Sequence, residues 1–90
     1  MSQMADREVK AAILSFLEKK GRWGASYFPL DTLVRWLGRK VKRGGKRVRN
    51  CVDDLAKEEY ILFLKKGKTV SLNPFKKKEI IEYVRAVSKA

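Results

Sequence analysis

The apolar residues of this 90-residue chain change their spacing at Tyr60. Before Tyr60 they recur every three or four residues; after it come two short apolar runs around Lys65-Lys66-Gly67-Lys68. A helix repeats every 3.6 residues and a strand every two, so the pattern predicts helices first and a strand pair next. In a first helix over about 4–20, Val9, Ala12, Ile13, Phe16 and Leu17 share one stripe. Asp6 and Glu8 in its first turn and Lys19 and Lys20 in its last suit the helix dipole, and Gly21 suits the C-terminal cap. Residues 21–26 read as a loop. Tyr27-Phe28 before Pro29 predicts a short extended piece, with Pro29 at the first position of a second helix. Leu30, Leu33, Val34 and Leu37 form the stripe of that helix, Trp36 lies at its edge and Gly38 ends it.

Arg39–Gly45 reads as a seven-residue basic loop, followed by a third helix over about 46–59 with Val48, Cys51, Val52 and Leu55 on one face. Ile61–Leu64 and Thr69–Leu72 read as strands joined by a hairpin turn with Lys66-Gly67 at its centre. Asn73-Pro74 supplies an N-cap and a first-position proline for a last helix running to about Ser88. Ile80, Ile81, Val84 and Val87 lie on one side of that helix, facing either the core or a second copy in a homodimer. The expected architecture is one domain over 1–90, mainly α with a small antiparallel β-hairpin: helix, short strand, helix, helix, hairpin, helix.

Charge is the second constraint. The chain carries 22 Lys+Arg against 10 Asp+Glu, a formal net charge of +12. No acid lies between Asp31 and Asp53, where Arg35, Arg39, Lys40, Lys42, Arg43, Lys46, Arg47 and Arg49 occur. None lies between Glu59 and Glu79, where Lys65, Lys66, Lys68, Lys76, Lys77 and Lys78 occur. Outside those windows the chain is slightly acidic, so the positive charge is segregated. Segregation points to a basic face for a polyanion.

Other chemistries find little support. The chain has no histidine, which removes the usual general base and the commonest zinc ligand. A single cysteine, Cys51, allows no internal disulfide and reads as a buried core residue. Gly67-Lys68-Thr69 ends like a phosphate-binding P-loop, but that motif needs glycine where Leu62 stands. Asp53, Asp54, Glu58 and Glu59 read as a solvated helix end, with i, i+4 pairing of Arg49 with Asp53 and of Asp53 with Lys57, not as a metal site. No enzyme, cofactor or metal is expected. The Tyr60–Leu64 run is too short to span a membrane, and the charged Asp6-Arg7-Glu8 segment does not suit a signal peptide. The expectation is a cytoplasmic protein, nucleoid-associated if it binds DNA. One Gln and two Asn beside a high Lys/Glu/Arg load lean towards a thermophilic, archaeal source.

Two stretches carry a family resemblance. Residues 28–37, Phe-Pro-Leu-Asp-Thr-Leu-Val-Arg-Trp-Leu, resemble the second helix of winged helix-turn-helix domains with its strand lead-in. Residues 46–55, Lys-Arg-Val-Arg-Asn-Cys-Val-Asp-Asp-Leu, followed by Glu58-Glu59-Tyr60-Ile61, resemble a recognition helix running into the wing. The seven-residue connection between these helices departs from the tight turn of the simplest helix-turn-helix.

The resemblance implies double-stranded DNA as ligand, with the third helix in the major groove and the basic hairpin on the backbone, in a transcription regulator or chromatin-type binder. Arg prefers guanine and Asn adenine by paired hydrogen bonds, which singles out Arg47, Arg49 and Asn50 for base contact. The wider basic surface comprises Arg39, Lys40, Lys42, Arg43, Lys46, Lys65, Lys66, Lys68, Lys76, Lys77 and Lys78. Trp23, Tyr27 and Phe28 are candidates for stacking on bases, with packing the stronger expectation for Tyr27 and Phe28. Alternatives are a ribosome-associated RNA binder, and a protein-interaction module that presents the last helix.

Overall fold

The computed structural model describes residues 5–41 and 44–88; Lys42 and Arg43 lie outside the described residues. The molecule is mainly helical with a small antiparallel sheet. The helices are α1 (Asp6–Lys19), α2 (Leu30–Gly38), α3 (Gly44–Lys57) and α4 (Lys77–Ser88), and the strands are β1 (Phe28–Pro29), β2 (Ile61–Leu64) and β3 (Thr69–Leu72). Among the described residues no helix is long and apolar enough to cross a membrane.

One cluster of buried residues joins these elements. It draws Val9, Ile13, Leu14 and Leu17 from α1, Leu33, Val34 and Leu37 from α2, and Val48, Cys51, Val52 and Leu55 from α3. Ile61, Val70, Leu72 and Ile80 complete its sheet and α4 side. The α1 stripe is centred one residue from its expected line: Leu14 is fully buried, while Ala12 and Phe16 pack at the margin. Truncating a leucine at the centre of such a cluster costs about 2–5 kcal/mol. Ile80 is spent in this core and Val84 packs against it, while Ile81 and Val87 are half-buried.

The hairpin strands occupy the expected residues, in register Ile61↔Leu72 to Leu64↔Thr69. The sheet is larger than the expected hairpin. β1 pairs with β3 through Phe28↔Val70 and Pro29↔Thr69, giving the order β1-β3-β2. Pro29 on an edge strand removes no ladder bond that the sheet needs.

Three expected boundaries move. Pro29 caps α2 with extended backbone (ψ 127°) and is not its first residue. α3 begins at Gly44 instead of Lys46, leaving five positions, 39–43, between α2 and α3. Gly44 is buried against Gly38, and a Cβ at Gly44 would collide with the Gly38 backbone. The contact between the two helix ends thus recruits a glycine pair that, by propensity alone, belongs to a loop. The last helix opens with a 3₁₀ turn, Pro74–Lys76, before α4 begins. Asn73 caps that turn, its Oδ1 accepting from the Phe75 N–H at 3.0 Å, while its Nδ2 donates to the Glu59 carbonyl at 2.8 Å. Glu59, at φ 67°, ends α3 in the left-handed region. Asn73 therefore ties the exit of α3 to the start of the last helical segment.

Candidate nucleic-acid interface

The inward face of α3 is its apolar stripe, and its outward face divides by charge along the axis. Lys46, Arg49 and Asn50 are exposed towards the N-terminal half, and Asp53, Asp54, Lys57 and Glu58 are exposed towards the C-terminal end. Arg47, one of the residues singled out for base contact, is drawn into the fold. Its Nη2 and Nε donate to Asp6 Oδ1 at 2.8 and 3.3 Å, bracing α3 against the start of α1. Its side chain is only 22% exposed, so it has less reach than a free surface arginine.

Arg49 donates through Nη2 to Asp31 Oδ1 of α2 at 2.9 Å. The expected pairing of Arg49 with Asp53 is replaced by this interhelix contact, and Asp53 forms no ion pair among the described residues. Both partners of the Arg49–Asp31 bridge are more than half exposed, so water and salt screen it and a phosphate can compete for the guanidinium. At the other end of α3, Lys10 reaches across from α1 to Asp54 (3.7 Å) and Glu58 (3.6 Å). Burial opposes the Lys10 charge, but Glu58 and Asp54 outweigh it and hold its pKa above the ordinary lysine value. The acidic half of α3 is thus partly neutralised from within.

The second basic window is built differently. In the hairpin turn the Gly67 N–H donates to the Leu64 carbonyl at 3.1 Å and the Lys68 N–H to the Lys65 carbonyl at 3.2 Å, so the second bond closes over the expected Lys66-Gly67 centre and the first over Lys65-Lys66. Lys65 (φ 51°), Lys66 (φ 59°) and Gly67 (φ 84°) are all left-handed. A left-handed backbone costs a non-glycine residue about 1–2 kcal/mol, so two lysines here are an expensive way to make a turn. Lys65, Lys66 and Lys68 are exposed. Of the next lysine run, Lys76 is half-buried in the 3₁₀ turn, and Lys77 and Lys78 are exposed at the start of α4, where Glu79 offers a partial offset. Among the described residues none of these six lysines is in an ion pair. Two neighbour aromatic rings instead: the Lys65 Nζ lies 5.8 Å from the centre of the Tyr27 ring and the Lys77 Nζ 5.8 Å from that of Trp23. In the first window, exposed Arg39 and Lys40 follow α2, with the Lys40 Nζ 5.5 Å from the Trp36 ring centre.

The aromatic candidates divide. Phe28 packs edge-on against Phe16 at 5.3 Å, and Trp23 is half-buried beside Leu72. Tyr27, expected to pack, is 36% exposed, and Trp36 and Phe75 stand at 51% and 92%. Sequence periodicity leaves these exposed rings unmarked, since they lie in a loop, at a stripe edge and in a capped turn. Cys51 is buried, its Sγ–H directed at the Asp6 carbonyl (3.9 Å), and burial first, then Asp6, pushes its thiol pKa up. That favours the unreactive thiol. Among the described residues no cluster of three or more His, Cys, Asp or Glu is placed to hold a metal ion. No family model, curated protein or solved structure matches this chain.

Proposed function

We propose that the protein binds nucleic acid, double-stranded DNA first, in the manner of a winged helix-turn-helix. α3 enters the major groove, the β2–β3 hairpin lies along a flanking backbone, and the protein serves as a transcription regulator or chromatin-type binder. The observation that carries this reading is the lysine window from Lys65 to Lys78: six cations, five exposed, none in an ion pair among the described residues. Charges kept for stability are expected to be paired, and those at the turn and at the start of α4 are placed against local preference. Phosphates supply affinity in this reading, while Arg49 and Asn50 are the exposed α3 side chains suited to base edges. Arg47 acts in it as a brace for α3.

The test is binding to matched DNA and RNA duplexes across a salt series. If about six cations meet phosphates, log affinity falls against log salt with a slope of roughly −5. A slope near −1, or no binding at low salt, overturns the reading. Preference for the RNA duplex moves the ligand to A-form RNA, whose narrow major groove excludes α3.

A further inference from the structure

The loop between α1 and β1 is laid along β3 and carries aromatic rings with it. The Leu72 N–H donates to the Arg22 carbonyl at 2.7 Å and the Gly24 N–H donates to the Leu72 carbonyl at 2.9 Å, seating Trp23 beside the end of β3. The Ser71 hydroxyl donates to the Gly24 carbonyl at 2.8 Å, and Pro74 packs where a Gly24 side chain would begin. Tyr27 precedes β1, whose pair Phe28↔Val70 lies two residues from Leu72 along β3, and the Lys65 Nζ of the hairpin turn is 5.8 Å from the centre of the Tyr27 ring. The strip beside β3 thus carries two ring–ammonium pairs, Tyr27 with Lys65 and Trp23 with Lys77, and Phe75 follows in the turn that opens the last helical segment.

Phe75 is 92% exposed and Tyr27 36%. An open phenyl ring followed directly by Lys76-Lys77-Lys78 adds nothing to the core and stays wet at a cost. The strip pairs rings with ammoniums, the chemistry that single strands use: bases stack on aromatic faces while cations follow the phosphates. Every base has a π-face, so such a strip needs no sequence. We propose that this strip binds an unpaired stretch of nucleic acid, with bases stacked on Phe75 and Tyr27 and phosphates held by Lys65, Lys66 and Lys77. The proposal rests on the nucleic-acid reading above for its polyanion, but uses a surface other than α3. An anionic lipid surface also accepts a phenyl ring among lysines. Two rings beside one strand, each with its own cation, and a third ring left open fit a linear polymer better.

The experiment compares wild type, Phe75→Ala, Phe75→Leu, Tyr27→Ala and Asn50→Ala. Each is titrated at one salt concentration against an oligothymidine single strand, a mixed-sequence duplex and phosphatidylserine-containing vesicles. Phe75→Ala and Tyr27→Ala each weaken single-strand binding by about tenfold or more. Phe75→Leu keeps an apolar side chain without a stacking face and is expected to fall with Phe75→Ala. Duplex affinity stays within about twofold in these variants, and Asn50→Ala leaves single-strand binding unchanged. Phe75 is outside the core, so its variants melt as wild type does. Unchanged single-strand affinity in both Phe75 variants overturns this proposal and leaves the duplex reading standing. A wild type that binds the single strand but no duplex overturns the duplex reading and supports this one. Vesicle binding that depends on Phe75, without single-strand binding, overturns the proposal in favour of a membrane surface.

Discussion

The two basic windows are equally free of interspersed acids in sequence, yet the fold pairs two arginines of the first and no lysine of the second among the described residues. In the first, Arg47 and Arg49 are met by Asp6 and Asp31 from other helices. In the second, Lys65 to Lys78 meet no carboxylate among the described residues, and two lie beside aromatic rings. The difference follows from side-chain chemistry as well as position. A planar guanidinium can hold a carboxylate in a fixed geometry and is the better residue for fastening one helix to another. An ammonium on a flexible stem keeps its hydration and gives it up to a phosphate when one arrives. A cation count therefore overstates the first window as a binding surface and describes the second more closely.

The largest expected effect that sharpens this contrast is in the hairpin. Replacing Lys65, Lys66 and Lys68 together by Gln shrinks the salt slope by about 3 and weakens specific and random duplex alike. A slope that holds would put the electrostatic contact back on α3. Next in size, Asn50→Ala costs about 1–3 kcal/mol on a preferred site and far less on random duplex, by competition titration. Equal losses on both would remove base readout from α3.

The assignment of Arg47 to the fold is broken or kept by thermal and denaturant melts. Arg47→Ala loses about 1 kcal/mol of stability through the Asp6 contact, since Asp6 is largely exposed and screened. Lys66→Ala loses none. Smallest of all, a triple Gln substitution at Lys76, Lys77 and Lys78 holds the melting temperature or raises it by a few degrees while weakening binding. The two lysines opening α4 oppose its dipole by about 0.3–1 kcal/mol each, and the lost Lys77–Trp23 contact returns part of the gain. Unchanged affinity would show that these lysines face away from the ligand.

How far sequence alone reaches differs by element. β2 and β3 were legible to the residue, because strand-period runs flank a four-residue turn and the register follows. The Asn73-Pro74 cap was equally plain, since capping is local chemistry; that its first turn would be 3₁₀ was not. The start of α3 was misplaced because Gly44-Gly45 carries a poor helix propensity, and what overrides it is the approach to Gly38. The pairing of β1 with β3 and the Arg47–Asp6 brace join residues about forty positions apart, with no periodicity to announce them. The six lysines were visible as charge, but that none meets an acid among the described residues needed the three-dimensional arrangement. Exposure of Tyr27 and Phe75 had no sequence signal, because loop aromatics read the same whether they pack or project.

The glycine contact between α2 and α3 sets an evolutionary limit on this surface. With no side-chain layer between Gly38 and Gly44, the helix ends meet backbone to backbone, and alanine at 44 is excluded by space alone. Glycine is a poor helix former, so local propensity does not favour opening α3 with two of them. Position 44 is thus closed to drift, whereas Arg39 and Lys40, exposed beside the same junction, can change charge without moving either helix. The charge of the surface can thus vary around the joint, but the joint itself has to stay glycine at 44.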